Sequence, residues 1–522
     1  CSAIVTLTLC TSCTGQKGVV VVNQDKTYQT INSFGASDAW RCKYVGENWP
    51  LEKRNKIADL LFSLESDEFG NPKGIGLSSW RFYLGSGSDE QGDNSNIRNK
   101  WRRSECFLDA NGQYDWSKSK GQRWFLQAAK ERGVPEFQMF TISPPVFYTR
   151  NGFAHSIEKD FSFNLQKDKY DDYVRFLVDV LAHFETEEDI HFNYISPFNE
   201  PQWDWGKGSQ EGTPASNEEL YSYLKYLSAA LDSSALKTKI IAGEAGSINY
   251  LYEPVENSNS SDQINVFYNP ESPLYIGNLN NLEYAITGHS YFSTWTLENQ
   301  ISEREKLAQR LVEINPDLDY WQTEFCILEK NDETKGGWGR DLDMPTALYV
   351  ARVIHSDLTI ANARSWDWWP ALSHFNFKDG LIYLDDGKGN GVESDTSKLN
   401  HDLMYDGHVS ESKLLWALGN FSRFVRPGMV RIDVQLDSGI TLLEQATDLQ
   451  VSAYKDITTG RIVMVFLNHT KHTKNISLNG ISFKNAALYV TDKTRNLDKS
   501  LVELSDISIP KRSVTTLVID NN

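Results

Sequence analysis

The chain of 522 residues has few cysteines, six in all, at positions 1, 10, 13, 42, 106 and 326. They are too scattered for a disulfide framework, and no histidine stands beside them at metal-ligand spacing, so no structural metal is expected. Long hydrophobic runs are also missing. None reaches the roughly 18 residues that a membrane span requires. Basic charge is in deficit: 52 Lys and Arg against 70 Asp and Glu leave a net charge of -18, with a pI near 5.1. That balance repels nucleic acid and anionic membranes and favours a neutral partner. The glycines within residues 385–395 (DDGKGNGVESD) follow no phosphate-cradling pattern and read as a surface turn, so no cofactor is expected. No internal repeat is visible.

What the chain has in excess is aromatic surface. Aromatics make up 12% of residues, with 15 Trp and 23 Tyr. Indole and phenol rings stack on the apolar faces of sugars while polar groups take the hydroxyls, so this composition fits carbohydrate binding as well as core filling. Residues 1–18 contain a short apolar run (AIVTLTL) and small residues up to Cys13, resembling the tail of an export signal. An exported protein is expected, periplasmic, secreted or held at the cell surface by a lipid on Cys13, although Cys10 is a poor residue three positions before such a site.

From residue 31 onward, strand-like runs alternate with helical periodicity, the signature of βα units and a parallel sheet. Eight runs stand at 31–40, 76–84, 136–144, 191–201, 239–246, 285–292, 318–328 and 364–372. Helical patterns lie between them at 121–132, 170–184, 217–231 and 302–314, with Asn217 and Ser302 as candidate caps. Eight units close into a (β/α)₈ barrel. A further amphipathic helix at 411–425 is stopped by Pro427-Gly428. Short alternating segments follow at 430–435, 440–444, 449–454, 462–468, 487–491 and 513–519, which predict a β-sandwich. The expected organisation is therefore a leader (1–18), an N-terminal strand lent to the sandwich (19–30), the barrel (31–425) and the sandwich (426–522).

Two of the strands share a design. Residues 191–205 (HFNYISPFNEPQWDW) and 318–328 (LDYWQTEFCIL) each run from apolar alternation to a single carboxylate, Glu200 or Glu324. In the barrel these glutamates end the fourth and seventh strands, on the face where barrels keep their chemistry, so they form a candidate carboxylate pair over one pocket. Either acid alone could equally be a structural hydrogen-bonder.

Several motifs, in order, resemble glycoside hydrolase family 30. Ser33-Phe34-Gly35-Ala36-Ser37-Asp38-Ala39 is similar to the family's first-strand segment, departing at Ala36 and Ser37, and Ser79-Trp80-Arg81 to its second-strand arginine. Ser196-Pro197-Phe198-Asn199-Glu200-Pro201 resembles the acid/base motif, Thr323-Glu324-Phe325-Cys326 the nucleophile segment, and residues 418–428 the helix entering the sandwich. Gln202-Trp203-Asp204-Trp205, with Gln210-Glu211-Gly212, looks most like the branch that cuts β-1,6-galactan. The resemblance implies a retaining hydrolase of a neutral poly- or oligosaccharide. β-1,6-Glucanase, endo-xylanase and exo-acting branches stand as alternatives, and a non-catalytic carbohydrate-binding protein as the rival class.

Glu200 would then be the acid/base, kept protonated near Trp203, and Glu324 the nucleophile, kept charged by Arg81 and Tyr291. Asn199 would bind the sugar 2-OH. Glu244 is the rival acid and otherwise a substrate contact, while His289 would bind substrate or brace the sixth strand. Trp366 and Trp368 share one face of the eighth strand, and one of them is expected to floor the sugar site. Tyr148 would wall it, and Asp38 would take a hydroxyl or cap a turn. Cys326 reads as filler.

Overall fold

The computed structural model describes residues 18–436, 439–481 and 485–520. The leader with Cys10 and Cys13 lies outside the described residues. Eight parallel strands close into a barrel: Ser33–Ser37, Ser79–Tyr83, Glu136–Phe140, Tyr194–Ser196, Lys239–Ala245, Leu282–His289, Asp319–Glu324 and Ser365–Trp368. The eighth strand pairs with the first, from Ser33 opposite Ser365 to Ala36 opposite Trp368. Parallel neighbours need long crossovers, and the helices that provide them cover the barrel's outer face. The helix Tyr170–Glu187 shows how, turning Tyr173, Val174, Leu177, Val180, Leu181 and Phe184 inward at three- and four-residue spacing.

Strand ends and helix starts follow local chemistry that the periodicity does not show. The fourth strand has three residues and stops before Pro197, which has no N–H for the ladder, rather than running on to Pro201. The helix Asn217–Asp232 is capped by Ser216, in a reciprocal box with Glu219, not by Asn217. The helix expected from Ser302 starts earlier, at Leu297, after Thr296.

The N-terminal strand, Gly18–Thr30, is one continuous strand in a nine-stranded, mostly antiparallel sheet. It lies antiparallel to Val430–Gln435 and parallel to Lys474–Asn479. Val20 and Val22 bury their side chains in a second core with Ile432, Met464, Phe466 and Leu517. One expected strand, at 440–444, is instead the helical turn Leu442–Gln445, because Thr441 and Glu444 satisfy each other's backbone N–H groups in a capping box. Three strands of this sheet escape the sequence reading, Lys474–Asn479, Asp498–Glu503 and Ile507–Ile509, the first two too polar and the last too short to show alternation.

A small sheet of Leu372–Ser373, Ile382–Asp385 and His408–Glu411 stands on the barrel. The helix Lys413–Ser422 then stitches barrel to sandwich: Ser422 Oγ donates to the Ile75 carbonyl (2.6 Å), and Thr516 Oγ1 to the Asn420 carbonyl (2.7 Å). Among the described residues, no helix is long and apolar enough to cross a membrane. Cys42, Cys106 and Cys326 are buried free thiols.

Candidate active site

Glu200 and Glu324 meet at the C-terminal mouth of the barrel. Each offers a carboxylate oxygen, and His289 a ring nitrogen, with all three atoms within 4.8 Å of one another. Glu200 stands four residues past its strand with φ 46°, and Glu244, at the end of the fifth strand, has φ 48°. Left-handed backbone at a glutamate costs about 1–3 kcal/mol and persists only where the surroundings enforce it. Here the Glu200 N–H donates to the Glu244 carbonyl (2.8 Å), and Thr287 Oγ1 lies 2.9 Å from the Glu244 N–H and accepts from it. The two strand tips are thus locked to each other, and both carboxyl groups turn toward His289.

A chain of charges runs behind the pair. His289 Nδ1 lies 2.9 Å from Glu200 Oε1, and Nε2 lies 2.8 Å from Glu244 Oε2. Carboxylates only accept, so a doubly protonated ring donates to both. Burial alone would push that ring down, but the Glu324 charge and the bonds to Glu200 and Glu244 outweigh it and raise His289 to about 10. For Glu244, burial pushes up while Arg81, His289 and Thr323 pull down, and the carboxyl is held at about 2. Arg81 donates from Nη1 to the Thr323 carbonyl (2.7 Å) and Glu324 (3.2 Å), and from Nη2 to Glu244 (3.4 Å). Tyr291 donates its hydroxyl to Glu324 Oε1 at 3.0 Å.

Two cations, Arg81 and His289, face three carboxyl groups. The cluster is neutral when one carboxyl holds a proton and the other two are ionised. The sequence expectation puts the raised carboxyl at Glu200. Burial pushes Glu324 up, with Glu200 and Glu244 adding to the push and His289 and Arg81 opposing it. By spacing, Glu200, His289 and Glu324 could seat a metal ion. A cation there would have to displace the one proton that, with Arg81 and His289, balances the three carboxyl groups.

The glutamates open on a cleft of about 1500 Å³, larger than the roughly 300–1,000 Å³ of an ordinary small-molecule pocket. Of the residues singled out from the sequence, Glu200, Glu324, Asn199 and Tyr291 line it. Asn199 Oδ1 is buried with no protein donor, as an acceptor awaiting a ligand hydroxyl would be. Arg81, Glu244 and His289 are fully buried behind this wall and are not part of the cleft lining.

Other expected contacts are displaced. Trp366 and Trp368 do share a face, but it is the outer one. Trp366 donates its indole N–H to Asp357 on the covering helix (2.9 Å), and Trp368 to the Asp379 carbonyl (2.9 Å). The space between strands and helices takes two indoles where the narrow barrel interior takes Asp367. Of the tryptophans at 366, 368 and 369, Trp369 is the one in the cleft wall, edge-on to Trp40 at 5.1 Å. Trp203 packs across Gly246, where a Cβ would meet its Nε1 at 2.1 Å, and Trp205 lines the cleft instead, donating to the Glu200 carbonyl (3.1 Å). Asp38 is buried, accepting from the Tyr83 N–H (2.8 Å), and burial raises its carboxyl to about 8, so it caps backbone and binds no sugar. Tyr148 sits in the turn Val146–Tyr148, half-buried against Phe147 and away from the cleft lining. Cys326 lies in the wall, its thiol pushed up by burial.

A barrel carrying two facing glutamates in an aromatic cleft defines a glycoside hydrolase. The profile of O-Glycosyl hydrolase family 30 matches residues 17–383, and the chain belongs to that family. It is 24% identical over 258 residues to the endo-beta-1,6-galactanase of Hypocrea rufa, covering 46% of this chain and 52% of that enzyme, about half its length. It is also 24% identical over 517 residues to glucuronoxylanase XynC of Bacillus subtilis (strain 168), covering 96% and 92%. A conserved exported protein from Bacteroides fragilis superposes with a TM-score of 0.89 at 38% identity, over 96% of this chain and all of that one. The catalytic domain of xylanase C from Talaromyces cellulolyticus shares the fold, with a TM-score of 0.65 at 22% identity over 96% of this chain and all of that one.

Glu244 is where the charge chain can be tested without touching the reacting carboxyls. Glu244→Gln keeps the shape and removes the anion, so the His289 ring should lose its proton at lower pH. The His289 ring signals in NMR should then titrate at least about one pH unit lower than in wild type. An unchanged His289 titration would show that the Glu244 carboxylate does not hold the ring's charge.

Proposed function

We propose that the protein is an exported, retaining, endo-acting hydrolase of β-1,6-linked galactan side chains. The observation that carries the retaining reading is the separation of Glu200 and Glu324, with an oxygen of each within 4.8 Å. Retaining pairs stand about 5–5.5 Å apart, and inverting pairs need roughly 6.5–9.5 Å to admit a water. In the first step Glu324 attacks the anomeric carbon while Glu200 gives its proton to the departing oxygen, leaving a glycosyl ester on Glu324. In the second, Glu200 takes a proton from water, which attacks the same carbon, and Glu324 departs as carboxylate. Configuration is retained. Arg81 and Tyr291 donate to Glu324, contacts that favour its charged form and suit it to attack the anomeric carbon.

The galactan reading is supported by the Gln202-Trp203-Asp204-Trp205 loop and by the likeness to the Hypocrea rufa galactanase. Xylan is the second reading, favoured by the longer match to the Bacillus subtilis glucuronoxylanase. Export is supported by the apolar leader and the Bacteroides fragilis likeness. Product chromatography on β-1,6-galactan, β-1,6-glucan and glucuronoxylan decides the substrate. Galactan should give a ladder of oligosaccharides at the highest rate. Faster cleavage of either other polymer overturns the galactan reading, and release of single sugars from the start overturns the endo mode.

A further inference from the structure

Of the 15 tryptophans, one is exposed: Trp338, at 67%. It stands on the crossover between the seventh strand and the helix Met344–Thr359, and it lines the same cleft as Glu200 and Glu324. Apolar surface gathered in a groove marks a place for a ligand, and Trp338 shares its groove with Trp369, Phe375 and Phe377. The loop here is braced on every side. Residues 338 and 377 form an antiparallel bridge, the Gly339 N–H donates to the Asn376 carbonyl (2.9 Å), and the Lys378 N–H donates to the Gly337 carbonyl (2.7 Å). The buried Lys378 ammonium reaches back to the carbonyls of Trp338 (2.8 Å) and Gly336 (3.1 Å). Gly337 is packed so closely that a Cβ there would meet the Phe377 ring at 2.0 Å. Phe377, itself part of the cleft lining, meets the Trp338 ring edge-on at 5.5 Å and fixes its tilt.

A rigid backbone that holds an indole in solvent is a preorganised platform. We propose that Trp338 is a remote sugar subsite, stacking the apolar face of a pyranose ring belonging to the same β-glycan whose cleaved bond lies between Glu200 and Glu324. The cleft exceeds the volume of a single-sugar pocket, and Glu393, Ser394 and Thr396 in the same lining offer polar atoms to ring hydroxyls. The platform thereby makes long chains better substrates than short ones. This rests on the glycan-hydrolase reading above and adds to it the dependence on chain length.

The test compares wild type, Trp338→Ala and Trp338→Phe on β-1,6-galactan oligosaccharides from disaccharide to hexasaccharide. Trp338→Ala should lose roughly tenfold in kcat/KM on the hexasaccharide, mainly through KM, and far less on the disaccharide, the scale of about one aromatic stacking contact. Trp338→Phe should recover most of that loss. An equal loss at every length, or none at any, overturns the subsite while leaving the hydrolase reading intact. If wild type cleaves none of them, the galactan reading fails by itself, and a fluorescence titration with a hexasaccharide of the β-glycan that wild type does cleave decides the platform. A blue shift in wild type that Trp338→Phe lacks supports it, and identical spectra overturn it.

Discussion

Replacing Glu324 by alanine is expected to lower kcat by about 10⁴- to 10⁶-fold, the scale on which loss of a covalent nucleophile acts. The side chain is buried and takes hydrogen bonds from Arg81 (3.2 Å) and Tyr291 (3.0 Å), so nothing else is placed to attack the anomeric carbon. Neither donor is placed to replace it, because both present protons to the Glu324 carboxylate. The vacated space beside Arg81 should admit a small anion. Added azide or formate is expected to restore part of the turnover, and an azide product should have the configuration opposite to the substrate's. Turnover of the alanine variant within tenfold of wild type would remove Glu324 from the mechanism.

Glu200→Gln should lose about 10²- to 10⁴-fold on natural linkages, where the leaving oxygen needs a proton. The loss should shrink on aryl glycosides whose phenol leaves unaided, because the first step no longer needs the acid. The second step still lacks its base, so a burst of phenol followed by slow turnover is expected. Azide should then give a product of retained configuration, the reverse of the Glu324 variant. Stopped-flow absorbance reads the burst, and NMR of the azide product reads its configuration. A uniform loss over good and poor leaving groups would mean that Glu200 supports the site without transferring the proton. Glutamine keeps the bond between residue 200 and the His289 ring near 2.9 Å plausible in shape, so folding is little disturbed.

The barrel was legible because eight apolar strands alternate with amphipathic helices, and a period of 2 switching to 3.6 leaves few topologies. The two glutamates were legible because each interrupts an apolar run at a strand's end. The cleft wall was less so. Strand alternation pairs Trp366 with Trp368 and Asp367 with Trp369 but does not say which pair faces the sugar, and bulk sends the larger pair outward. Trp338 sits in a loop without periodicity, and its bracing by Lys378 and Phe377 exists only in three dimensions. The inward turn of Glu244 depends on a left-handed backbone that no residue type announces. The start of the helix Asn217–Asp232 was missed for a smaller reason, because its capping side chain, Ser216, stands one residue before the periodic pattern begins.

The strand Gly18–Thr30 is synthesised early but finds its neighbours only at Val430–Gln435 and Lys474–Asn479, and the contact between Tyr28 and Asp433 spans 405 positions. At ribosomal speeds of about 5–20 residues per second, those valines wait roughly 20 to 80 s for a partner. Throughout that interval an unpaired, apolar edge is open to any other nascent chain. A truncation after the barrel would make the wait permanent, so the hydrolytic half cannot be excised from its companion without also removing the opening strand.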